Sequence, residues 1–178
     1  MEKRSSNKMN KKASPELYSK VIGNLLSAGV NCSCYFLFGF PGETDETAER
    51  TRQFIKSIEY PEFDGALSWS LFPFILAPLS PIYEFDLRKK YGLTGYLKNW
   101  KHRTMHSGRA MEHLKAAFME LDNSGPVSRV DNLDMFFNMA PQRRKQFVSL
   151  RHRFSKLSVQ SGFERNDIIE SFTRVLFD

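Results

Sequence analysis

Apolar and polar residues alternate along this chain in two periods. Leu17, Val21 and Leu25, with Ile22 beside them, recur at helical spacing, with Ser14 as a cap candidate and Pro15 at the first helical position. Gly29 is placed to close that helix. Val30 to Phe38 is rich in strand formers and shows two faces. Asn31, Ser33, Tyr35 and Leu37 share one; Cys32, Cys34, Phe36 and Phe38 share the other. The helical period returns over Asp45 to Ile58, with Ala48, Thr51, Phe54, Ile55 and Ile58 facing inward. After a loop at 60–65, Ala66 to Phe74 reads as a second strand. Leu67, Trp69 and Leu71 are assigned outward beneath helices, and Ser68, Ser70 and Phe72 inward. Strand, helix, strand in this order predicts a parallel pair joined by a right-handed crossover.

Pro73, Pro78 and Pro81 end the second strand, and Ile82 to Tyr91 suits a short helix. The rest is predicted to be helical. One helix starts at Ser107 and carries Ala110, Leu114, Ala117, Phe118 and Leu121; Asn123-Ser124-Gly125-Pro126 ends it. A short stripe follows at Val130, Leu133, Phe136 and Phe137. Gln142 to Leu157 is a basic amphipathic helix, and Asn166 to Phe177 is a last amphipathic one.

The two strands are joined by the most distinctive stretch, Phe38-Gly39-Phe40-Pro41-Gly42-Glu43-Thr44. Gly39 and Gly42 admit backbone angles closed to other residues, and Pro41 fixes the turn between them. Thr44 is placed to cap a helix, and Asp45, Glu46 and Glu49 suit its positive end. In parallel α/β folds such a loop lies at the carboxyl edge of the strand, where ligands bind. A strand-to-helix turn without a ligand accounts for the same residues.

A chain of 178 residues with sixteen Phe has ample material for a core. Its net charge of +6 permits acidic partners without naming one. Two closely spaced Cys, Cys32 and Cys34, are not a secreted disulfide framework and fit a reducing, cytoplasmic setting. The basic, polar start argues against a signal peptide, and no apolar run reaches the roughly 20 residues of a membrane span. Phosphate-binding GxxxxGK[ST] and GxGxxG loops and the GxSxG elbow are absent. His102 and His106, four apart, would share a helix face at a metal-like spacing, but no recognisable third ligand accompanies them, so no metal is assigned. The basic 143–156 stretch is the one route to a nucleic acid, and a solvated helix face explains it as well.

The wording of the loop resembles the fifth-strand loop of radical S-adenosylmethionine enzymes, in the branch that often carries a cobalamin domain. Three neighbouring stretches agree. Asn10-Lys11-Lys12 with Pro15-Glu16-Leu17 is similar to the run before the preceding helix, and Ile22 to Val30 to that helix entering the strand. Phe72-Pro73-Phe74 through Ala77-Pro78-Leu79-Ser80-Pro81-Ile82-Tyr83 is similar to the sixth strand and its exit. Trp100-x-His102-x-Thr104-Met105 resembles a segment after the last strand. The likeness covers roughly Asn10 to Leu121.

The resemblance implies an α/β fold: a partial (β/α) barrel over residues 1–95, followed by a helical C-terminal extension over 96–178. It implies S-adenosylmethionine, a [4Fe-4S] cluster that cleaves it to a deoxyadenosyl radical, and in cobalamin-bearing relatives a methyl transfer to carbon. Phe38, Gly39, Phe40, Pro41 and Gly42 would contact the cofactor, and Ser68, Ser70 and Phe72 would face a peptide or small-molecule substrate. The family's CxxxCxxC motif, whose thiolates hold the cluster, is absent. The expectation is therefore a chain that begins partway through a barrel and is inactive alone. Its partner would be the missing N-terminal half, another chain or a second copy. The competing expectation is a non-catalytic split or relic half that binds a protein.

Overall fold

The structure is a computed structural model that describes residues 14–58, 62–121, 125–126, 139–158 and 166–177. The Asn10–Lys12 stretch and the Val130, Leu133, Phe136 and Phe137 stripe lie outside the described residues. The fold is mixed α/β. In chain order come α1 (Pro15–Ser27), β1 (Cys32–Phe38), α2 (Asp45–Ser57), β2 (Leu67–Pro73), a 3-10 turn (Pro81–Tyr83) and α3 (Phe85–Tyr91). Then follow β3 (Thr94–Tyr96), β4 (Asn99–His102), β5 (Met105–His106), α4 (Ser107–Glu120), β6 (Gly125–Pro126), α5 (Pro141–Ser158) and α6 (Asn166–Phe177).

The expected strand pairing is present. Cys32 donates its amide to the Ala66 carbonyl at 2.9 Å, and six residues later the Phe38 carbonyl accepts from Phe74 at 2.7 Å. Both strands advance together, so β1 and β2 are parallel. β6 extends the small sheet on the other side of β2, also parallel, with Ser68 opposite Gly125 and Trp69 opposite Pro126. No barrel is seen among the described residues.

The described chain forms two compact units, neither of them a continuous stretch. One comprises Tyr35–Ile55 and Leu71–Glu120; the other comprises Pro15–Cys34, Lys56–Ser70 and the described residues from Leu121 onward.

In the first unit α2 lies on the Phe36 side of β1, where Phe36 and Phe54 meet edge to face at 6.2 Å. Ala48 and Ile55 are buried on α2, as its apolar period requires. A three-stranded antiparallel meander, β3-β4-β5, completes the unit with α4. The helix expected to bring His102 and His106 onto one face is replaced by this meander. His102 sits in β4 and is buried; His106 sits in β5 and is exposed. Trp100, His102 and Met105 point inward while Asn99 and Lys101 point out, the two-residue period of strands.

In the second unit α1 buries Ile22 and Leu26. Of the apolar stripe expected along this helix, Ile22 is buried, whereas Leu17, Val21 and Leu25 are exposed. The two rows differ by a single step around the helix, and the buried one is held by the chain return at Gly65, whose amide bonds the Leu26 carbonyl at 3.0 Å. α5 packs with Val148 and His152 buried. Its basic residues are not all solvated. Arg144 is buried and donates to the Asn31 side-chain oxygen at 3.0 Å and the Met139 carbonyl at 3.1 Å, and Lys145 bonds the Phe63 carbonyl. His152 bonds the Leu121 carbonyl and meets Trp69 edge to face at 5.0 Å. Among the described residues no helix is long and apolar enough to cross a membrane.

Candidate functional site

The loop after β1 is a type II turn. The Glu43 amide donates to the Phe40 carbonyl at 2.8 Å, Pro41 takes the first corner, and Gly42 takes the second at φ +92°. A side chain at the second corner would be strained, which is why Gly stands there. Gly39, also at positive φ, ends the strand. The Glu43 carboxylate reaches back to accept the Gly39 amide. Burial raises the Glu43 pKa to about 7, although the hydrogen bond from Gly39 opposes the shift.

Thr44 caps α2 as expected. Its hydroxyl accepts the Thr47 amide at 3.2 Å, and the Thr47 hydroxyl accepts the Thr44 amide at 2.8 Å. This is a reciprocal capping box with Thr at the third position, and it satisfies two amides the helix end leaves over.

The meander holds the loop from behind. Trp100 donates its indole N–H to the Phe74 carbonyl at 2.8 Å. Phe74 meets Phe40 at 5.7 Å and Trp100 at 5.3 Å, both edge to face, and His102 stacks on Trp100 at 5.4 Å. Thr104 donates to the Glu43 carbonyl at 2.5 Å, with His102 Nδ1 3.2 Å from the same hydroxyl. The W-x-H-x-T segment is thus a brace for the turn. Its alternation over Trp100 and His102 was the signal that strand period, not helix period, applies there.

The start of α2 also carries a charged group. Arg109 grips Asp45 through Nε at 2.9 Å and Nη2 at 3.3 Å, and the buried His113 meets the same carboxylate at 2.8 Å. Glu112 bonds Arg109 at 2.7 Å. With Glu49 and Arg52 these residues line an open cleft of about 430 Å³. Hydrogen bonds from Arg109 and then His113 lower the Asp45 pKa to about 2. The charges in the cleft satisfy one another.

The site residues expected from the sequence fall in different surroundings. Phe38, Gly39 and Pro41 are buried by the chain itself, whereas Phe40 and Gly42 keep accessible surface. Phe72 is exposed and stacks on exposed Tyr35 at 6.0 Å, so one face of the strands carries aromatic surface in the first unit. Ser68 and Ser70 belong to the second unit. Ser68 bonds the Ser33 hydroxyl at 3.0 Å, and Ser70 is buried. Cys32 and Cys34, also in the second unit, are both free thiols, 3.9 Å apart. Among the described residues no group of three His, Cys, Asp or Glu side chains could hold a metal ion.

Comparison with protein-family models, with curated proteins and with solved structures gives no match.

Proposed function

We propose that this chain is the C-terminal portion of a radical S-adenosylmethionine enzyme, a partial (β/α) barrel whose β1 loop faces the cofactor. The supporting observation is the braced type II turn at the carboxyl end of β1, within a parallel strand–helix–strand unit. That edge is where ligands bind in folds of this kind. Phe40 and Gly42 fit one side of an adenosyl group, an aromatic ring next to a bare backbone. The cofactor, bound with a cluster, would supply the radical. This chain's part is to pack the nucleoside and shield it from water. The exposed Tyr35–Phe72 pair is the surface offered to a substrate.

The residues present do not fit the cluster itself. It needs three thiolates, and this chain has two, both within β1. Its ligands, and any cobalamin, belong to sequence other than this one, so no step is assigned here. That shortage favours the second reading, a non-catalytic half that docks onto a protein.

Titration calorimetry of the full chain with S-adenosylhomocysteine, the stable analogue, separates the readings. The enzyme reading expects binding that Phe40→Ala weakens and Gly42→Val abolishes, with the helical content of Phe40→Ala unchanged. A folded wild-type chain that fails to bind leaves the docking reading. Anaerobic reconstitution of the chain alone is expected to give no four-iron spectrum; a cysteine-dependent one would overturn the ligand argument.

A further inference from the structure

We propose that Cys32 and Cys34 form a two-thiolate site for a soft, monovalent metal cation, copper(I) in particular. The site begins with the strand. Residues two apart in an extended chain project to the same side. Here they bring two sulfurs to 3.9 Å, both half-buried and neither in a disulfide. The backbone beneath them is fixed, because the Cys32 amide bonds the Ala66 carbonyl at 2.9 Å.

Three chemistries could use such a pair, and geometry separates them. A disulfide needs sulfurs about 2.05 Å apart and Cα atoms within about 6.8 Å. Two strand steps span about 6.7 Å, at the far end of that range. Closing the bond would pucker β1 against its partner strand. A tetrahedral ion such as zinc needs four ligands. Among the described residues no third His, Cys, Asp or Glu joins these two. A two-coordinate ion needs nothing more than the pair. A metal–sulfur bond is about 2.3 Å or slightly less. With the sulfurs 3.9 Å apart, an ion near their midpoint meets both after a small outward adjustment. Soft thiolates suit copper(I), zinc and iron–sulfur clusters, and of these only copper(I) is satisfied by two.

The binding step balances without redox chemistry. Each protonated thiol gives its proton to solvent as its sulfur bonds the ion, so two Cu–S bonds form as the S–H bonds break and copper stays copper(I).

The test is an anaerobic titration of the reduced full chain with copper(I) against bathocuproine disulfonate, whose coloured copper complex reports what the protein withdraws. The expected result is one copper withdrawn per chain and protection of both thiols from iodoacetamide. Cys32→Ser and Cys34→Ser should each lose the withdrawal entirely. If either variant fails to fold, alkylation of the wild-type chain decides alone, since copper must protect both thiols together. Failure to compete with the chelator would overturn the proposal. So would full binding by a single serine variant, protection of one thiol only, or displacement of the copper by equimolar zinc.

Discussion

The indole of Trp100 occupies the space that a side chain at Gly39 would need. A Cβ built on Gly39 would come within 2.6 Å of the ring atom Cζ2 and 2.7 Å of the Ala110 methyl. Gly39 also stands at φ +89°, where a side chain is strained whatever the space. Gly39→Ala is therefore expected to destabilise the chain by on the order of 3 kcal/mol, from overpacking and strain together. Urea unfolding followed by Trp fluorescence measures it directly. A loss below about 0.5 kcal/mol, the range of neutral surface changes, would mean that the meander does not brace the loop.

Glu43 makes the loop sensitive to pH. Its unfolded carboxyl titrates at its ordinary value of 4.5, and burial in the folded chain raises this to about 7. Between those values the folded state keeps a proton that the unfolded state has lost, so stability falls as pH rises across that window. Above pH 7 both states are ionised and the slope vanishes. Glu43→Gln, which keeps an oxygen for the Gly39 amide, should flatten the curve between about pH 4.5 and 7. It should also raise the melting temperature at pH 8. Thermal unfolding at pH 5 and pH 8 checks both; a slope unchanged in the variant would assign it to another group.

Local chemistry explains which parts of the chain were readable from sequence. The β1 loop was legible because Pro41, Gly42 and Thr44 act on their own neighbours, as a turn corner, a positive-φ residue and a cap. The two parallel strands were legible from short runs rich in aromatic and other apolar residues on either side of a strongly periodic helix. The meander was not. His102 and His106 fit a helix by spacing, and β3 and β5 are three and two residues long, too short for a strand period to stand out. The buried face of α1 depends on Gly65, far along the chain, so Leu17, Val21 and Leu25 looked equally suited to the core. Likewise nothing local tells that Arg144 and Lys145 turn inward, since their acceptors, Asn31 and the Phe63 carbonyl, lie in other elements.

The Asp45 group should act in a different pH range from Glu43. Hydrogen bonds from Arg109 and His113 depress its folded pKa from 3.8 to about 2. A depressed carboxylate contributes stability above its unfolded pKa and loses it as pH falls through the folded one. Asp45→Asn should therefore remove an acid-side loss between about pH 4 and 2, leaving the slope above pH 4.5 untouched. The carboxylate is solvent-exposed, so the effect should be small and should shrink further in high salt. Acid unfolding at low and high ionic strength, wild type against variant, gives the comparison. Equal acid midpoints at low salt would show that the Arg109 grip contributes nothing.

The outer edge of β1 should behave as an open strand edge. The bonds at Cys32 and Phe38 fix the register, so Cys32, Cys34, Phe36 and Phe38 turn their backbone groups toward β2. Ser33, Tyr35 and Leu37 turn theirs away, on the side where no described strand is paired. Tyr35 is also 67% exposed and Phe72 41%, so aromatic surface accompanies the edge. An edge of this kind invites another strand. In dilute solution the amides of Ser33, Tyr35 and Leu37 should exchange faster than those of Cys34 and Phe36, because among the described residues only the second set faces a paired strand. As concentration rises, or when a chain carrying the rest of a barrel is added, the first set should become protected and the sedimentation coefficient should increase. Tyr35→Glu should oppose that change without altering the exchange of Cys34 and Phe36. A chain that stays monomeric at every concentration, gains no protection from a complementary chain, and still protects Ser33, Tyr35 and Leu37 would show that the edge is closed from within.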